Sequence, residues 1–172
     1  DSSAASDVYK RQAEELKGMI DSGEDMVILD SRPMDEYNTM NIPGGVCCPG
    51  GELVYRINAI APDPDTTVVV NCAGRTRSII GAQSLRNAGI PNKVVALRNG
   101  TMGWHLSGFQ LEHGNTKNHP DVATSDVDTA QGRAADVAGR FAVETVTPQQ
   151  VEAWKKDGSR TLFLLDVRTA GE

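Results

Sequence analysis

The sequence predicts an α/β fold, a small parallel sheet with helices on both faces. Two observations support this. Short apolar runs over Met26–Asp30, 66–71 and 93–97 are continuous rather than alternating, the pattern of strands buried on both faces. Between them lie stretches with apolar residues at helical spacing, so strand and helix alternate, as crossovers in a parallel sheet require.

Residues 13–23 read as an amphipathic helix ended by Gly23. Met26–Asp30 follows as the first buried strand. Pro33, whose fixed φ suits a first helical position, opens a short helix running to Met40. Ile42-Pro43-Gly44-Gly45 is a turn. Residues 51–61 carry Leu53, Val54, Ile57 and Ile60 on one helical face, and Pro62-Asp63-Pro64-Asp65 breaks that helix. The β-branched, uncharged run 66–71 is a second strand. A loop of small residues from Cys72 leads into a helix over 77–88, stopped by Gly89. Residues 93–97 form a third strand, and Asn99-Gly100 precedes a short helix bearing Trp104. From Glu112 to Val146 the chain turns polar, with little periodicity and room for one short helix.

Of 172 residues, 39% are hydrophobic, which excludes a fully disordered chain. Lys and Arg number 17 against 23 Asp and Glu. The formal charge of −6 argues against a nucleic-acid partner or an anionic membrane surface. No run approaches the roughly 18–20 apolar residues of a membrane span. Three cysteines are too few, and odd in number, for a secreted disulfide framework, so a cytoplasmic setting with free thiols is expected.

Both ends depart from the pattern. Residues 1–12 have no apolar period and resemble a translated cloning adapter, so they are set aside as a non-native leader; they also lack the apolar centre of a signal peptide. Near the other end, Leu164-Leu165-Asp166-x-Arg168-x-x-x-Glu172 repeats Ile28-Leu29-Asp30-x-Arg32-x-x-x-Glu36. Helical stretches closed by glycine precede both, Leu16 to Gly23 and Val151 to Gly158. The repeat predicts a domain over 13–114, a linker over 115–146 and the truncated start of a second copy over 147–172, in a fragment of a longer protein.

The strongest chemical signal is Asn71-Cys72-Ala73-Gly74-Arg75-Thr76-Arg77-Ser78. It stands where a buried strand hands over to a helix, the place where parallel α/β sheets bind ligands. Loop amides and a helix N-terminus favour an anion there, and the sulfur of Cys72 would sit among them. Gly74 lets the backbone curl, and Arg75 and Arg77 add positive charge in a net negative chain. All of these favour thiolate over thiol. The same loop suits a small oxyanion, matched by arginine forks. A free Cys at a strand end is also a common packing residue. Packing alone, however, calls for neither the glycine nor two arginines at a helix start.

In these motifs the chain resembles a rhodanese-homology domain, one domain of a tandem bacterial rhodanese. The matching elements run in family order: Asp30-x-Arg32-x-x-x-Glu36-Tyr37, Ile42-Pro43-Gly44-Gly45, Cys72-x-x-x-x-Arg77-Ser78, then Leu97-Arg98-Asn99-Gly100-Thr101-Met102-Gly103-Trp104. The resemblance implies a thiosulfate sulfurtransferase with Cys72 as nucleophile and sulfur carrier. The amides from Ala73 through Gly74, Arg75, Thr76 and Arg77 to Ser78 would stabilise the persulfide, and Arg75 and Arg77 would recognise an anionic donor. The acceptor would be cyanide or a thiol, further rhodanese domains would share the chain, and no cofactor or metal is expected. Asp30, Arg32 and Glu36 would support the loop ends by mutual hydrogen bonds. Met40-Asn41 stands where the family usually has Gly-His. The family's first edge strand, expected before residue 13, is missing, its place taken by the adapter-like residues.

Two other functional classes compete. A phosphatase or arsenate reductase on a kindred fold needs a loop one residue longer, with Arg at position 78, where this chain has Ser78. A catalytically silent binding or regulatory module would favour an altered loop cysteine, and Cys72 is present. Cys47 and Cys48 are adjacent, cannot both bind one zinc in tetrahedral geometry, and read as incidental loop thiols unless they approach Cys72. His105, His113 and His119 have no metal-ligand spacing, and the sequon Asn99-Gly100-Thr101 has no secretory context. Trp104 reads as a core anchor near the rim of the site.

Overall fold

A computed structural model describes residues 10–166. The described residues divide into two compact units, one up to residue 137 and one from residue 138.

In the first unit, β2 (Met26–Asp30) and β4 (Thr67–Asn71) pair in parallel along their whole length, Met26 opposite Thr67 through Asp30 opposite Asn71. β5 (Val94–Leu97) flanks β4, and β3 (Val46–Cys47) flanks β2. β1 (Lys10–Arg11) edges β5, which completes an all-parallel sheet in the order β1-β5-β4-β2-β3. Because alternate side chains of a strand point to opposite faces, β2, β4 and β5 each feed two cores. Leu29, Val68, Val70 and Ala96 pack with Leu53 and Ile57 of α3 (Leu53–Ile60) and Ala82 and Leu85 of α4 (Arg77–Asn87). Ile28, Val69, Val95 and Leu97 pack with Leu16 of α1 (Ala13–Ser22) and Trp104 of α5 (Gly100–Leu106). Burying each such aliphatic side chain is worth about 1.5–3 kcal/mol, so the two-sided sheet is the main source of stability.

The helix ends follow the sequence signals. The Gln12 N–H donates to the Glu15 carboxylate at 2.9 Å, and Gly23 closes α1 at φ 69. Pro33 stands immediately before α2 (Met34–Thr39) rather than inside it. Trp104 is fully buried, its indole N–H donating to the Gln110 carbonyl at 2.8 Å and its ring 4.8 Å from that of Phe109.

Three features differ from the sequence expectation. The edge strand expected to be missing is present as Lys10–Arg11, inside the segment set aside as a leader. Its pairing uses backbone groups, with the Arg98 N–H donating to the Arg11 carbonyl at 2.8 Å, so it needs no apolar pattern. The two-residue strand β3 lies within the stretch after the Ile42-Pro43-Gly44-Gly45 turn. The segment expected as a linker with room for one short helix holds a longer one, α6 (Thr124–Arg140), 17 residues, with Ala130 buried and Arg133 donating to the Asn58 side chain at 2.8 Å. Ahead of α6, Glu112 bridges Asn41 and Asn118 bridges Cys47.

In the second unit, Thr147 caps α7 (Pro148–Lys156), accepting from the Gln150 N–H at 3.2 Å, with Pro148 in the first turn. The run Leu162-Phe163-Leu164-Leu165 forms no strand, and Phe163, Leu164 and Leu165 are exposed. A strand exists only through its ladder partners, and none lies beside this run among the described residues. Arg168 and Glu172 of the repeat lie outside the described residues.

Candidate active site

Cys72 follows the last residue of β4, at the C-terminal edge of the parallel sheet, and residues 72–76 lead into α4. It is only 1% exposed and lines a cavity of about 540 Å³ whose wall also includes Ala73, Gly74, Arg75, Met102 and Leu106. Its Sγ lies 3.4 Å from the Ser78 hydroxyl, which donates once the sulfur is ionised. Burial pushes the thiol up, but the Ser78 hydroxyl and the amides of Ser78, Gly74 and Arg75 outweigh it and hold Cys72 below the ordinary thiol range. The loop is thus arranged to hold a thiolate.

The loop takes this shape because α5 fastens it from behind. The Thr101 N–H donates to the Cys72 carbonyl at 2.9 Å, and the Met102 N–H to the Ala73 carbonyl at 3.0 Å. The Thr101 hydroxyl also donates to the Cys72 carbonyl, at 3.2 Å. In a trans peptide the C=O and the following N–H point in opposite directions, so fixing the Ala73 carbonyl on α5 turns the Gly74 amide the other way, toward the sulfur. Gly100 makes the approach possible. It sits at φ 51, and a Cβ there would collide with the Cys72 carbonyl oxygen and lie 2.8 Å from the Gly74 nitrogen.

The supporting charges split into two groups. Asp30 and Arg32 form a buried bidentate pair at 2.8 and 2.7 Å, and Arg32 also donates to the Met40 carbonyl at 2.7 Å. The Asn71 amide bridges this pair to the cysteine loop, donating to Asp30 at 3.2 Å and to the Thr101 hydroxyl at 3.0 Å. Glu36 does not join Asp30 and Arg32. It holds Arg77 in a bidentate pair at 2.7 and 2.8 Å, and Arg77 in turn keeps the Glu36 carboxyl below its usual range. Of the two arginines expected to meet an anion, Arg77 is therefore already paired. The Arg75 side chain is exposed and makes no hydrogen bond or ion pair among the described residues. Thr76 is exposed and Ser78 buried.

Cys47 and Cys48 do not line the cavity. The register sets Cys47 opposite Asp30 and Asp30 opposite Asn71, so all of β2 lies between Cys47 and the end of β4. Burial pushes Cys47 up to about 11 and Cys48 up to about 12. Among the other residues named from sequence, His113 Nδ1 lies 2.7 Å from the Thr39 carbonyl. The sequon's Thr101 is buried against Cys72. Among the described residues no cluster of His, Cys, Asp and Glu could hold a metal, and no helix is long and apolar enough to cross a membrane. Gly100, Thr101 and Asn71 were not expected to shape the site. The motif around Trp104 marks the first two, but their contact with Cys72 crosses from one βα unit to the next.

Residues 12–107 match the family of rhodanese-like domains. A crystal structure of a thiosulfate sulfurtransferase from Pseudomonas aeruginosa superposes with a TM-score of 0.89 at 51% identity, over 98% of this chain and 32% of that one. YrkF of Bacillus subtilis, whose name marks it as a candidate sulfur carrier protein, is 31% identical over 58% of this chain and 52% of its own. The HTH-type transcriptional regulator Rv0324 of Mycobacterium tuberculosis is 30% identical over 62% of this chain and 46% of its own. The chain thus spans about half the length of these two relatives and a third of the Pseudomonas protein.

Proposed function

The chain belongs to the rhodanese-like domain family, and from that membership we propose a sulfurtransferase that works through a persulfide on Cys72. The Cys72 thiolate attacks the outer sulfur of a donor such as thiosulfate. The S–S bond of the donor breaks, its electron pair leaves on sulfite, and the outer sulfur remains on Cys72 as a persulfide anion. A nucleophilic acceptor, cyanide or a thiol, then attacks that terminal sulfur, and the pair of the broken S–S bond returns to Cys72. The negative charge stays beside the amides of Gly74, Arg75 and Ser78 throughout, so little reorganisation accompanies either displacement. Arg75 receives the oxyanion of the donor, while Arg77, paired with Glu36, keeps the far end of the loop in place.

The observation that carries this reading is one thiol, held below its ordinary range by the Ser78 hydroxyl and loop amides, in the wall of a cavity. The Pseudomonas neighbour, named for this activity, supports it. The purified protein should turn over thiosulfate and cyanide, and intact-mass measurement after thiosulfate treatment should show one added sulfur on Cys72. Absence of both, or activity surviving in Cys72→Ser, would overturn it. The repeat of the Asp-x-Arg-x-x-x-Glu motif, together with the fraction of the Pseudomonas chain that is matched, supports further rhodanese-like domains in the full-length protein. The free thiols suit a cytoplasmic location. The Mycobacterium regulator favours a second reading, a non-catalytic module within a regulatory protein, against which the retained Cys72 and its amides stand. That module would show neither turnover nor persulfide.

A further inference from the structure

A second cavity, of about 390 Å³, is lined by Gly74, Arg75, Ile79, Leu97, Arg98 and Asn99. It shares Gly74, Arg75 and Asn99 with the cavity that holds Cys72, so the two adjoin. No acidic residue lines it. Arg98 follows β5 directly, its backbone fixed by the hydrogen bond to Arg11, and its exposed side chain makes no hydrogen bond or ion pair among the described residues. With Arg77 held by Glu36, the unpaired cations lining the two cavities are Arg75 and Arg98.

We propose that this cavity is an anchoring subsite for the sulfur acceptor, and that the acceptor is an organic thiol carrying a carboxylate several bonds from its sulfur. The inference rests on the sulfurtransferase reading and adds an acceptor class to it. The sulfite group of thiosulfate is bonded directly to the sulfur being transferred, so it must lie in the cavity of Cys72, which Arg98 does not line. A charge bound at Arg98 therefore belongs to a longer molecule. Partly buried Ile79 offers apolar wall to a hydrocarbon spacer, and the Arg98 guanidinium offers a planar fork to a carboxylate. In the transfer step the thiolate of the acceptor attacks the terminal sulfur of the Cys72 persulfide. The new S–S bond forms on the acceptor as the Cys72 S–S bond breaks, and the electron pair returns to Cys72.

The test uses thiosulfate as donor and compares mercaptohexanoate with mercaptohexanol as acceptors, reading the ratio of their kcat/KM values within each protein. In the wild type the ratio should favour the carboxylate about tenfold, the scale of one charge-assisted hydrogen bond, and should shrink as salt is raised. Arg98→Gln should bring it close to one, and Arg98→Glu should reverse it. A wild-type ratio of one, or an Arg98→Gln ratio equal to the wild type's, overturns the subsite. So does an Arg98→Gln variant whose main defect is a raised KM for thiosulfate, since Arg98 would then serve the donor. Failure of the underlying reading looks different: no turnover with cyanide, which has no carboxylate to anchor. That result removes both proposals.

Discussion

The end of β4 and the end of β3 each bury cysteine, with opposite consequences. Cys47, Cys48 and Cys72 are equally inaccessible, at 1%, 0% and 1% exposure, and burial raises all three. Cys48 packs among Val46, Leu53 and Ile57, where the attraction of Arg56 falls short of that cost, and Cys47 has the Asp30 carboxylate near it as a further penalty that Arg32 does not cancel. Cys72 has the Ser78 hydroxyl and three amides directed at its sulfur, and its shift is inverted. Burial therefore does not decide whether a thiol is reactive. The hydrogen-bond donors aimed at its sulfur, a hydroxyl first and amides after it, do.

The sharpest way to break this contrast is to exchange the thiols one at a time. Cys72→Ser should drop thiosulfate turnover to background, whereas Cys47→Ala and Cys48→Ala should keep most of it. Brief iodoacetamide treatment at neutral pH, read by peptide mass spectrometry, should label Cys72 first; equal labelling of Cys47 or Cys48 in the folded protein would erase the distinction. Gly100→Ala comes next. Its positive φ and the collision with the Cys72 carbonyl should cost about 1–3 kcal/mol in urea unfolding and lower turnover further than the stability loss explains. Ser78→Ala is milder. A group whose folded pKa is depressed loses its ionised form as pH falls through that value, so the acid limb of the wild-type rate profile should lie below 9.0, the ordinary thiol value. Removing the hydroxyl should move that limb upward by up to about one unit, the scale of one hydrogen bond. Glu36→Gln should be smallest in stability, under about 1 kcal/mol for a half-exposed pair. It should still lower the KM for thiosulfate, because Arg77 is released.

What could be read from the sequence was what is written locally. The strands around Leu29, Val69 and Val95 are apolar because both faces are covered, and Cys72 with Gly74, Arg75 and Arg77 stands within one short loop. Features made by backbone pairing alone escaped: Lys10–Arg11 joins the sheet without an apolar residue. The length of α6 escaped too, since Ala, Gly and Asp dominate it and only Ala130 is buried. In the site, the arginines were visible but their division was not. Glu36 and Arg77 are 41 positions apart, so only the fold shows that one arginine is committed and the other is free.

The fastening of the Cys72 and Ala73 carbonyls onto Thr101 and Met102 also bears on transplantation. The loop's conformation is held jointly by two stretches some thirty positions apart, 72–78 and 98–103. Grafting residues 72–78 alone onto another parallel sheet would carry the nucleophile but leave behind the donors that aim its amides. A portable version of this site has to include both stretches, with Gly100 between them.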